Sequence, residues 1–211
     1  MKVFIFGASG MVGRALVHEA LRRGHHVTAA ARDASKAAAT PGVVLRQVDA
    51  GDEHAVRDAV AGSDAVIAAV SGRKSGHDTV PAIARSLLAA LPLAGVPRLL
   101  WVGGAGSLEV APGVPLMSTP NFPTAYKDEA QGQGRALEVF RASASTLNWT
   151  YFSPAALLQP GERTGRYRIG GDQLLQDAAG NSQISVADFA LAMLDELERN
   201  AHPQQRITAA Y

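Results

Sequence analysis

The stretch that most limits how this chain can fold lies at its beginning: Lys2-Val3-Phe4-Ile5-Phe6, followed at once by Gly7-Ala8-Ser9-Gly10-Met11-Val12-Gly13. An apolar run of this length ending at a glycine turn is the pattern of a strand buried on both faces. Past the glycines, Val12, Leu16 and Ala20 recur at helical spacing, predicting a helix over residues 11–23 that Gly24 terminates. In such a strand–turn–helix unit the three glycines have separate tasks. Gly7 permits the tight turn, Gly10 lets a pyrophosphate reach the backbone, and Gly13 lets helix and strand pack closely. The helix N-terminus adds unpaired N–H groups and a positive dipole end. Glycines cluster by chance in a chain with 21 of them, so the position between strand and helix carries the argument.

The alternation continues. Strands are predicted at His26–Ala31, 43–48, 65–70, Arg98–Val102 and 149–152. Helices are predicted from Asp52 to just before Gly62, over 78–91 and over 124–143, with residues 103–123 as a Gly- and Pro-rich loop. Ser185-Val186-Ala187-Asp188 reads as a capping box opening a last helix that runs to about Arg199, and 206–209 as a final edge strand. Repeated β-α-β units with short connections imply an α/β fold: a Rossmann-type, doubly wound parallel sheet with right-handed crossovers. One domain over 1–211 is expected, with residues 160–180 forming a small C-terminal subdomain on the substrate side.

Composition narrows the function by exclusion. A chain of 211 residues is long enough to bury a full core without staples. Its net charge of +1, with no basic block, gives no reason to expect nucleic acid or an anionic membrane as partner. There is no cysteine, which removes disulfides, thiolate catalysis and zinc–thiolate sites together. The six histidines show no ligand spacing, so no metal is expected. The first strand at Lys2 leaves no room for a signal peptide, and no apolar run reaches the roughly 18 residues of a membrane helix. A cytoplasmic location is the expectation.

The residues after each strand bear on the ligand, because ligands gather at the carboxyl ends of parallel strands. An acid at the end of the second strand would bind the adenosine ribose of NAD; a base there would pair with the 2′-phosphate of NADP. The second strand here ends Ala29-Ala30-Ala31-Arg32-Asp33, so Arg32 points to NADPH, with Arg14 and Lys36 adding charge. Asp33, shifted one place, leaves NADH open, and pairing of Arg32 with Asp33 is the alternative without a ligand. Asp49 and Ala50, after the third strand, are placed at the adenine, and Val70, Ser71 and Gly72, after the fourth, beside the adenosine and diphosphate. Gly103 and Gly104, after the fifth, complete the cofactor wall.

Together these residues resemble the atypical short-chain dehydrogenases/reductases, in particular the small NAD(P)H-binding subgroup that goes by the name NADH-flavin reductase. That subgroup is similar in outline to flavin/biliverdin reductase and to NmrA-like proteins. The resemblance spans essentially the whole chain. Its shared part is FGASGMVG, AARDASK, VDAGD and DAVIAAV; its specific part is Trp149-Thr150 through Ser153-Pro154-Ala155, residues 160–168, residues 180–185 and Asp188-Phe189-Ala190. It implies that Ser153, Pro154 and Ala155 lie beside the nicotinamide. The wider superfamily uses a Tyr-x-x-x-Lys pair, and none exists here: Tyr126, Tyr151 and Tyr167 are followed four residues on by Ala130, Ala155 and Gly171, and Tyr211 is the last residue. The serine usual after the fifth strand is replaced by Gly103-Gly104-Ala105.

The implied activity is an oxidoreductase's hydride transfer from NADPH to a flavin (FMN or FAD) or a similar flat acceptor such as a quinone or tetrapyrrole. Stacking and exclusion of water would then supply most of the rate. Tyr126 is the candidate catalytic group, Lys127 and Arg163 candidate substrate contacts, with Arg163, Arg166 and Arg168 able to hold an acceptor's phosphate or simply to form surface salt bridges. The expected partner is a small-molecule acceptor, with the chain a monomer or homodimer. Two alternatives stay open: a non-catalytic NADP-binding redox sensor of the NmrA-like type, and a carbonyl or imine reductase with another proton donor.

Overall fold

A computed structural model describes residues 1–32, 40–73 and 76–211. Among these residues five α-helices and twelve strands follow one another. In order they are β1 (Lys2–Phe6), α1 (Met11–Arg22), β2 (His26–Ala31), β3 (Val43–Gln47), α2 (Glu53–Val60), β4 (Ala65–Ala68), α3 (Thr79–Leu93), β5 (Arg98–Val102), β6 (Glu109–Ala111) and β7 (Val114–Pro115). There follow α4 (Lys127–Ala142), β8 (Asn148–Pro154), β9 (Leu157–Gln159), β10 (Arg168–Gly170), β11 (Gln183–Ser185), α5 (Val186–Arg199) and β12 (Gln205–Ala210). Eight of the strands form one sheet in the order β10-β12-β8-β5-β4-β1-β2-β3. All its pairings are parallel except β10 with β12. The doubly wound arrangement expected from the sequence is therefore present.

The apolar runs are explained by what covers the sheet. Alternate residues of a strand point to opposite faces, and here both faces are buried. Phe4, Phe6, Val66, Leu99, Trp101 and Tyr151 face one core under α2, α3 and α4. Val3, Ile5, Ile67, Leu100 and Phe152 face the other, against α1 and α5. The predicted caps also form. Asp52 accepts a hydrogen bond from the Ala55 N–H at 3.1 Å, and Gly24 and Gly62 take the left-handed conformation just past α1 and α2. Ser185 Oγ accepts from Asp188 N–H at 2.9 Å, but Asp188 does not reach back, so only half of the capping box exists. Its carboxylate instead accepts from Thr164 Oγ1, Gly165 N–H and the Tyr211 hydroxyl.

Two expectations are corrected at the carboxy-terminal side. The last strand is not an edge: β12 lies between β8 and the antiparallel β10, whose three residues come from the irregular stretch 160–180. The segment before β10 runs back over α1 and α5, and Arg163 there binds both Glu19 oxygens at 3.0 Å. Tyr211 is also tied in: Ser185 N–H donates to its hydroxyl at 3.1 Å, and Arg168 donates to its carbonyl at 2.6 Å. Among the described residues no helix is long and apolar enough to cross a membrane.

Candidate dinucleotide site

The strand order reverses between β1, which continues to β2, and β4, which continues to β5, and a ligand crevice opens at the carboxyl ends of strands at such a point. The β1–α1 turn sits there, and its glycines differ in kind. Gly7 has φ +73°, and a Cβ on it would fall 2.0 Å from the Ala69 carbonyl oxygen. A Cβ on Gly13 would fall 2.1 Å from the Gly7 oxygen. Packing alone forbids a side chain at both. Gly10 has φ −73°, and its Cβ would meet nothing closer than the Gly7 oxygen at 3.3 Å. The fold asks little of Gly10. Its lack of a side chain leaves the start of α1 without a side-chain cap, and no acid occupies the first turn. Such a helix end suits an anion, and the cradle left open at Gly10 fits a dinucleotide's pyrophosphate. Ser9, Gly10 and Met11 are exposed here, and Ala8 and Val12 half-buried.

The remaining candidates ring the same edge. Arg32 is exposed at the end of β2, with no carboxylate partner among the described residues; Asp33 and Lys36 lie outside the described residues. Asp49, exposed after β3, accepts from Gly51 N–H at 2.9 Å, and Ala50 beside it is buried. Val70, Ser71 and Gly72 follow β4, Gly103 and Gly104 follow β5, and Ser153, Pro154 and Ala155 end β8. The Ser153 hydroxyl is fully buried with no hydrogen-bond partner among the described residues.

The wall between these loops comes from α4 and was not anticipated from the sequence. Glu129 Oε2 accepts from Gly72 N–H at 3.0 Å. One turn on, Gln133 donates to the Val70 carbonyl at 3.0 Å and to Glu129 Oε1 at 3.3 Å, and accepts from Trp101 Nε1 at 3.0 Å. The pair has the spacing the absent Tyr-x-x-x-Lys would have had. His77 packs beneath, its buried Nδ1 3.3 Å from Glu129 Oε2. The sequence held one signal for this: Gln133 interrupts the apolar stripe Ala130, Leu137, Phe140 of α4, and a polar residue on a buried stripe needs a partner.

The tyrosines divide sharply. Tyr151 is fully buried; its hydroxyl donates to the Gln133 carbonyl at 2.9 Å, and its ring occupies the space a Cβ on Gly103 would need. Burial pushes its phenol well above the ordinary range, so it stays neutral with its proton committed. Tyr167 hydrogen-bonds Asp195 and Tyr211 bonds Asp188, both carboxylates of α5. The hydroxyl of Tyr126 has no hydrogen-bond partner among the described residues; the residue is 51% exposed at the entry to α4, with the Arg73 guanidinium 5.5 Å above its ring. Lys127 follows it, exposed. Arg163 is turned away from the role of substrate contact: Glu19, 144 residues earlier on α1, takes it. Arg168 is likewise used on the Tyr211 and Gln176 carbonyls.

A glycine-cradled helix end at the switch point of a parallel sheet defines a Rossmann-type dinucleotide-binding protein. The chain belongs to the NAD(P)H-binding family, whose model matches residues 7–197. It is 41% identical over 211 residues to the uncharacterized protein YwnB of Bacillus subtilis, covering 99% of this chain and 97% of that one. A solved structure from Burkholderia pseudomallei, whose name proposes an exported protein, is 43% identical with a TM-score of 0.92, each chain covered fully. Another, from Streptococcus pneumoniae, is proposed by its name to be an NADH-flavin reductase. It is 36% identical with a TM-score of 0.84, covering 100% of this chain and 99% of that one.

Proposed function

We propose that this protein is an NAD(P)H-dependent reductase that prefers NADPH and passes hydride to a flavin or another flat acceptor. The observation that carries the cofactor half is Gly10, a glycine the fold does not need, at an uncapped, acid-free helix start. The backbone and dipole of α1 would hold the pyrophosphate, Arg32 the 2′-phosphate, and Ser153-Pro154-Ala155 with Gly103 and Gly104 the nicotinamide side. The bound cofactor supplies the hydride; the protein positions, and keeps water away. The name carried by the Streptococcus relative supports a flavin as acceptor. The commitment of Tyr151, Tyr167 and Tyr211 to structural hydrogen bonds supports chemistry without a tyrosine acid.

The test is NADPH consumption against FMN, FAD, riboflavin, quinones and tetrapyrroles, run beside calorimetric NADPH binding. Turnover with at least one flat acceptor is expected. Tight binding with no turnover on any of them would overturn the reductase and leave an NADP-binding sensor.

A further inference from the structure

Resting on that reading, we infer that His77, held by Glu129, is the proton donor for acceptors that must be protonated as they are reduced. His77 lies between the loop after β4 and the second turn of α4. A Cβ on Gly72 would fall 2.6 Å from its Cα, and one on Gly132 2.8 Å from its carbonyl oxygen, so two glycines make room for it. Its ring is asymmetric in its surroundings. Nδ1 is buried 3.3 Å from Glu129 Oε2, an ion-pair distance at which it makes no hydrogen bond in the resting geometry, whereas the side chain as a whole stays 31% exposed and Nε2 has no protein partner among the described residues. Glu129 is itself only 14% exposed and anchored by Gly72 N–H and Gln133, so it cannot swing away from the imidazole.

A carboxylate behind one ring nitrogen and an open second nitrogen is the arrangement that orients an imidazole for acid–base work. It sits on Gly72, a loop that flanks the cofactor crevice, and no tyrosine competes for the role within the protein's interior. The other charged groups on the surrounding elements are accounted for: Asp78 is taken by Arg135 at 2.7 Å, Arg73 lies over Tyr126, and Lys127 and Asp128 are exposed at the start of α4. In the step itself a quinone gains a hydride from the reduced nicotinamide and a proton from Nε2–H of the imidazolium. The nicotinamide is oxidised, the quinone becomes hydroquinone, and the imidazole recovers its proton from water. An oxidised flavin can take hydride without that proton, so its reduction depends less on His77.

The experiment compares wild type, His77→Gln and Glu129→Gln with a naphthoquinone and with FMN, alongside NADPH affinity and ¹⁵N NMR of the imidazole. His77→Gln is expected to lower kcat for the quinone by about 10²- to 10⁴-fold. FMN reduction should fall less than about tenfold, and the Kd for NADPH should hold within about threefold. In the NMR spectra neutral His77 should carry its proton on Nδ1, and Glu129→Gln should shift that tautomer toward Nε2. A wild type that oxidises NADPH with the quinone while His77→Gln keeps its kcat within about tenfold overturns the inference and leaves the reductase standing. A matched loss of NADPH affinity and of both activities makes His77 a support for the Gly72 loop instead. No turnover in the wild type overturns both.

Discussion

Replacing Gly10 by valine separates binding from folding. The new Cβ presses on the Gly7 oxygen at 3.3 Å, which asks for a shift of a few tenths of an ångström, costing about 1–2 kcal/mol at most. The same group stands where the pyrophosphate meets the backbone, so calorimetry should show NADPH affinity reduced at least about 100-fold, or about 3 kcal/mol, in a protein that still melts cooperatively. Wild-type affinity in that variant would remove the turn from the site. Arg32→Ala should weaken NADPH by about 10- to 100-fold, the worth of a charge-assisted contact, and leave NADH nearly unchanged; equal losses would end its role as selector. The glycine turn was legible in the sequence because Gly10 and Gly13 both meet the Gly7 oxygen within one short segment. Glu129 and His77 were not, since what gives them meaning is a loop 57 residues from Glu129 in one case and a helix 52 residues from His77 in the other.

At the scale of elements, α1, α5 and the segment before β10 are joined by one carboxylate. Glu19 accepts from Arg22, Arg23 and Arg163, and Arg23 goes on to Asp195 and Glu198 of α5. Burial would raise the Glu19 carboxyl, but hydrogen bonds from Arg163, Arg22 and Arg23 outweigh it and hold the group at about 2 against an ordinary 4.5. A carboxyl lowered on folding adds stability that is complete above its unfolded value and is lost as pH falls from about 4.5 toward 2. Because the guanidiniums of Arg22 and Arg163 are partly exposed, the contribution is about 1–3 kcal/mol rather than the full shift. Urea unfolding of Glu19→Gln should therefore show that loss at pH 7 and a gap from wild type that narrows below about pH 4.5 and closes near pH 2. Asp188, also lowered, burial being outweighed by hydrogen bonds from Thr164, Gly165 and Tyr211, weakens the wild type in the same acid range. Ser185→Ala should cost about 1 kcal/mol through its cap. The helices were legible because periodicity and caps are local. The place of β12 was not, because its outer neighbour is three residues, Arg168-Ile169-Gly170, with no alternation to mark a strand. Arg163 was misplaced for the same reason: charge type was visible, its partner 144 residues away was not.

For the molecule as a whole, one sheet with two buried faces couples cofactor binding to global stability. NADPH at about 100 times its Kd should add about 2.7 kcal/mol, which for a chain of this size raises Tm by about 5–10 °C. NADH at the same concentration should raise it less if Arg32 reads the 2′-phosphate; equal shifts would contradict that. The sheet's parallel, doubly wound character was legible as repeated β-α-β units, while its closing edge depended on pairings between distant segments. The way Tyr211 is tied down has a practical side. Its ring and carbonyl fasten Ser185, Asp188 and Arg168 at once. Losing the two attachments of the ring in Tyr211→Ala should make the stretch around Thr164 an early target for proteases.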